Sequence, residues 1–145
     1  MQGRKFVRTA AALVVVLGLS LIWTGCATAP PPANVKTVDC AGTEIQWDVA
    51  PEAEITNFAC TMGESGGDPA LIFTVGLKNV ASSPLRYRLS IFLAGMDKAV
   101  SYLVPRTGKP PQLAAGKEET VKIPFAKTTA IARKILVRVA PMSSE

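Results

Sequence analysis

Hydrophobic and polar residues alternate with period two through much of the chain. In 71–78, Leu71, Phe73, Val75 and Leu77 share one face, against Ile72, Thr74, Gly76 and Lys78. In 85–93, Leu85, Tyr87, Leu89, Ile91 and Leu93 oppose Arg86, Arg88, Ser90 and Phe92. Alternation of this length predicts half-buried strands. The intervening Asn79-Val80-Ala81-Ser82-Ser83-Pro84 has turn chemistry, so the pair reads as a hairpin with a longer loop.

Shorter alternating runs predict strands over 44–49, 99–104, 120–125 and 134–139, with weaker candidates at 35–40 and 55–62. Pro124 puts its strand at an edge or an end. Gly63 to Pro69 and the proline-rich Pro105 to Gly116 read as irregular turn and loop, and 126–133 has room for one helical turn. Short strands with turns every 8 to 12 residues predict an all-β, immunoglobulin-like antiparallel sandwich of about seven strands, with a small barrel as the alternative.

The first 25 residues have a different pattern. Arg4, Lys5 and Arg8 precede a fourteen-residue apolar run, Ala10 to Trp23, followed by Thr24-Gly25-Cys26. A cationic start and an apolar run of this length describe an export signal, and the run is shorter than a spanning helix requires. Thr24-Gly25-Cys26 resembles the lipobox of bacterial lipoproteins, although Trp23 stands where Leu is usual. The resemblance implies cleavage before Cys26, a diacylglycerol on its sulfur and a lipid anchor in the membrane. Ala27, in place of the aspartate that retains such proteins, implies the periplasmic side of the outer membrane. The alternative is an uncleaved N-terminal anchor.

This divides the chain into a signal peptide (1–25), a tether (26–34) and a folded domain (35–145). Pro30-Pro31-Pro32 keeps the tether extended, and it would reach about 30 Å at polyproline spacing. With Cys26 lipidated, Cys40 and Cys60 remain, either as a disulfide suited to an exported domain or as two buried thiols. The stretch Leu77-Lys78-Asn79 through Pro84-Leu85-Arg86-Tyr87-Arg88 also resembles the hairpin of YcfL-like and related small bacterial lipoproteins, a strand, Asn, a short polar turn and a Leu, Tyr-Arg strand. That likeness implies a sandwich domain and no particular activity.

Without the leader's three cations, the chain carries 13 basic and 11 acidic residues. A balance this even gives no reason to expect a nucleic-acid partner. The order of the charges says more. From Cys26 to Pro69 seven acids face one cation, Lys36, whereas from Ala70 onward there are twelve cations and four acids. Strands interleaved from the two halves would neutralise each other. A separate cationic face would instead meet an anionic partner.

Catalytic chemistry is sparse. The chain has no histidine, which removes the commonest general base and the usual triads. Glu52/Glu54 and Glu118/Glu119 sit beside turns, where solvated charge is ordinary. We expect no enzyme, metal or cofactor. Two groups of cations are candidate binding residues. Lys78, Arg86 and Arg88 lie on the outer face of the expected hairpin, and Arg106 and Lys109 lie in the proline-stiffened loop. The expected role is protein–protein contact in the envelope, with a small or lipidic ligand held between the sheets as the alternative.

Overall fold

A computed structural model describes residues 38–142. The expected signal peptide, the candidate lipid site Cys26 and the expected tether therefore lie outside the described residues. Eight strands form two sheets: β1 (Val38–Asp39), β2 (Glu44–Val49), β3 (Ala53–Ser65), β4 (Asp68–Asn79), β5 (Arg86–Ala94), β6 (Lys98–Val104), β7 (Glu118–Ala126) and β8 (Lys134–Met142). Sheet 1 has the order β1-β3-β4-β7 and sheet 2 the order β2-β8-β5-β6. The domain is the expected all-β sandwich.

The two alternating runs form β4 and β5, and their apolar sets do face the core. Phe73, Val75, Leu77, Tyr87, Leu89 and Ile91 have no exposed surface. They are not a hairpin, however. β4 pairs with β3 and β7, and β5 with β6 and β8. The loop after Asn79 therefore crosses from one sheet to the other. With β7 returning beside β4 and β8 beside β5, the order matches the B–E and C–F pairs of an immunoglobulin-like sandwich. The place beside β8 that a strand G would take is filled by β2, running parallel from Glu44↔Lys134 to Val49↔Val139.

Sheet 1 contains the longest pairing. β3 and β4 stay in register up to Ser65↔Asp68, so Gly63 to Pro69 is mostly ladder and not an irregular segment. Gly66 and Gly67 both have positive φ, 65° and 85°, the geometry of a two-residue hairpin turn that matches strand twist. Pro69 is tolerated because β7 reaches only as far as Ala70. Near the other end of β3, Thr56 is an extra residue between the pairs Ile55↔Leu77 and Asn57↔Gly76. This bulge switches the inward set from Ala53 and Ile55 to Phe58, which is why the sequence alternation is weak there. Residues 127–133 hold no helical turn.

Between the sheets, Trp47 meets Phe58 edge-on at 5.2 Å, Phe58 meets Phe73 at 5.5 Å, and Phe73 meets Phe125 at 5.5 Å. Each large side chain buried here contributes about 1.5–3 kcal/mol. Cys40 and Cys60 form a disulfide that fastens the two-residue β1 to β3, with Cα atoms 5.1 Å apart. Closing that loop stabilises the fold by roughly 3 kcal/mol.

At the end of the sandwich where β4 passes into β5, a polar group lies inside the core. Asn79 has no exposed surface. Its Nδ2 donates to Ser83 O and Leu113 O, each at 2.8 Å, and its Oδ1 accepts from Ala81 N at 2.9 Å. The Tyr87 hydroxyl lies 2.8 Å from both Asn79 Oδ1 and Glu52 O. Burial, and secondarily the charge of Glu52, push the Tyr87 phenol up to about 12. The folded state thus holds this proton more tightly than the unfolded chain, whose tyrosines titrate near 10. The stabilisation is complete below pH 10 and is lost as pH rises toward 12. Melting temperatures from pH 9 to about 12 should therefore fall more steeply for the wild type than for Tyr87→Phe. Parallel curves would contradict the assignment.

Candidate functional site

The five candidate cations divide between β4 in sheet 1, β5 in sheet 2 and the loop after β6. Lys78 is on the outer face of β4, opposite Glu54 of β3 and Glu118 of β7. Its ammonium is 3.9 Å from Glu54 Oε2. Glu118 also accepts a hydrogen bond from the bulged Thr56 hydroxyl at 2.6 Å. That bond passes over Gly76, where an added Cβ would collide with Thr56 Oγ1. Lys78 is thus part of a neutralised surface and does not join Arg86 and Arg88, which lie on β5 in the other sheet.

Two further ion pairs complete a pattern. Lys134 lies 3.3 Å from Glu44, and Arg138 Nε donates to Asp48 Oδ2 at 2.6 Å. Both join β2 to β8 at directly opposed positions. In all three pairs an acid from the first half of the domain meets a cation from the second, as interleaved strands would produce. The pairs are at least partly exposed, so each is worth under about 1 kcal/mol. Their importance lies in which cations they leave out.

Arg86, Arg88 and Arg106 have no carboxylate partner among the described residues. Arg86 Nε donates to Pro105 O at 3.3 Å and its Nη2 to Arg106 O at 3.4 Å, so the guanidinium holds the loop that follows β6. That places Arg106 beside it, with its own guanidinium 5.0 Å from the centre of the Tyr102 ring. Arg86, Ser101, Tyr102, Leu103 and Arg106 line an open depression of about 390 Å³. Arg88, two residues along the same face, borders a shallower hollow of about 260 Å³ with Ala140, Pro141 and Met142. Lys109 is exposed on the same loop, but no contact ties it to the others among the described residues.

The structure therefore joins one residue of the expected hairpin face, Arg86, to one residue of the expected loop group, Arg106. Sequence reasoning missed Tyr102, whose alternation assigned it to the strand and gave no hint of stacking. It also missed Lys98, which donates to Ala126 O, Lys127 O and Thr128 Oγ1 at 2.7–3.0 Å and fastens β6 to the end of β7.

The lining of the depression offers guanidinium donors, an aromatic face and the apolar Leu103. Such a surface suits a carboxylate presented on a partly apolar partner. Compared with protein-family models, curated proteins and solved structures, the chain matches none. What is defined here is a class, an immunoglobulin-like β-sandwich with an arginine-rich end on sheet 2.

The two neighbouring arginines should separate in a stability measurement. Arg86→Ala releases two loop carbonyls and should cost about 1 kcal/mol in urea unfolding. Arg88→Ala, an exposed change, should stay within about 0.5 kcal/mol of wild type. Equal effects would mean that Arg86 does not hold the loop.

Proposed function

We propose that the chain is a lipid-anchored envelope protein with no catalytic role. Its sandwich presents the arginine end of sheet 2 to an acidic surface of a partner protein, as an assembly or accessory factor. The observation that carries this reading is the gathering of three arginines, unmatched by acids among the described residues, at one end of sheet 2. Acids of the first half are matched to Lys78, Lys134 and Arg138, while Arg86, Arg88 and Arg106 have no acid among the described residues. Clustered like charges disfavour folding slightly, so a cluster left without acids points to a use outside the fold.

The anchor rests on Thr24-Gly25-Cys26 and the apolar run before it. The Cys40–Cys60 disulfide supports an oxidising compartment, and Ala27 supports the periplasmic side of the outer membrane. A small or lipidic ligand between the sheets is less well supported. It would have to displace Phe58, Phe73, Leu89 and Ile91, all without exposed surface.

The test combines anchor and surface. A photo-reactive residue in place of Ser101 should cross-link a partner in envelopes of the native host, whereas one in place of Thr74 on sheet 1 should not. Arg88→Glu with Arg106→Glu should reduce the Ser101 adduct about tenfold while leaving the fold intact. Cys26→Ser should move the protein to the aqueous phase in detergent partitioning. An adduct insensitive to charge reversal would refute the surface, and a variant still bound to membrane would refute the anchor.

A further inference from the structure

The two sheets have four edges, and three of them are protected in different ways. β1 is only two residues long and covers just Phe58 and Ala59, and the β3 edge on either side of it carries Glu54, Glu64 and the bulge at Thr56. β2 carries outward Glu44 and Asp48, each engaged by a cation of β8. β7 has Pro124 within it, together with Glu118, Glu119 and Lys122. Short length, charge and proline are the devices by which natural proteins stop a sheet edge from recruiting another strand.

β6 has neither the short length nor the proline, and it carries a single charge. It runs Lys98-Ala99-Val100-Ser101-Tyr102-Leu103-Val104, with no proline and no register shift against β5. Its one charge, Lys98, is at the far end and turned onto the loop after β7. Apart from the β5 ladder, no main-chain group of Lys98–Val104 bonds to backbone among the described residues. The edge ends at the depression formed by Arg86, Tyr102 and Arg106.

We propose that β6 is an acceptor edge. An extended acidic segment of a partner protein pairs with it as a ninth strand and sets its carboxylates against Arg86 and Arg106. Main-chain hydrogen bonds along the edge would supply affinity, and the arginines would fix register and select for acid. The addition is antiparallel, the commoner and slightly more stable pairing, so the acids lead at the N-terminal end of the segment. A second copy of this chain is a poorer occupant. The matching strand of a second copy carries no carboxylate, its only charged residue being Lys98. The proposal rests on reading the arginine end as a protein-contact surface and specifies how the partner is held there.

The test uses the full-length protein in detergent micelles and a synthetic peptide of alternating threonine and valine that begins with paired aspartates. The peptide should bind and slow hydrogen exchange in Lys98–Val104 but not in Glu118–Ala126. The same peptide N-methylated at alternate amides keeps its charge but cannot form a ladder, and should bind at least about tenfold more weakly. Arg106→Glu should weaken the parent peptide by a similar factor.

Equal binding of the methylated peptide, with Arg106→Glu still damaging, would overturn strand addition and leave acid recognition standing. Indifference to Arg106→Glu would bring down the arginine reading itself. No binding of the parent peptide would overturn the proposal. So would β6 protection that rises with protein concentration alone, since the occupant would then be a second copy.

Discussion

Everything at the arginine end of the sandwich depends on one buried amide. Asn79 uses both side-chain donors, its Oδ1 accepts from Ala81 N and shares the single Tyr87 hydroxyl proton with Glu52 O, and its backbone adds two bonds. Asn79 N donates to Lys117 O at 2.9 Å and Gly116 N donates to Asn79 O at 2.8 Å. Leaving any one of these groups unpaired in the core would cost about 1–3 kcal/mol. The residue therefore fixes the path by which β4 leaves sheet 1, and it binds the 113–117 loop to that crossover. The Leu85–Leu113 bridge, with bonds of 3.0 and 2.7 Å, closes the same assembly. β5 begins at the next residue, so the placement of Arg86 and the loop it grips follows from this network.

The charge arrangement follows from the crossover. Because β4 and β5 are in different sheets, their outer faces have different neighbours. β4 lies between β3 and β7, where Glu54 and Glu118 flank Lys78. On sheet 2 the acids of β2 reach only β8, one strand away from β5. Those acids are taken up by Lys134 and Arg138. The arginines of β5 and of the loop after β6 are beyond the reach of that acidic strand. A hairpin between β4 and β5 would have mixed these populations and given one diffuse cationic face.

Much of this was legible in the chain. Period-two alternation found β4 and β5 and named their inward residues, and the cysteine count, with Cys26 set aside for lipid, left Cys40 and Cys60 to form the bridge. Pro124 correctly placed β7 at an edge. Sheet partnership was not legible, because Ser82-Ser83-Pro84 suits a hairpin turn and a crossover equally well. What decides between them is the burial of Asn79, a long-range event. The tip of the β3–β4 hairpin was hidden for another reason. Thr61 to Glu64 are exposed, so this part of β3 needed no apolar face. One available signal went unused: Glu44 and Asp48 have the same spacing as Lys134 and Arg138, which fits two in-register parallel strands. The acceptor character of β6 became visible only when the four edges could be compared.

If the Asn79 network holds this end of the molecule as firmly as the core, the arginines are in place before any partner arrives. Native-state hydrogen exchange measures this directly. The amides of Asn79, Val80, Ala81, Leu85, Leu113 and Gly116 all donate to backbone or to the Asn79 side chain. Although several lie in loops, they should exchange within about tenfold of Phe73 and Val75 in the centre of β4, through global unfolding. Exchange at the rates of free loops, orders of magnitude faster than the β4 amides, would mean that Asn79 does not hold this end of the sandwich.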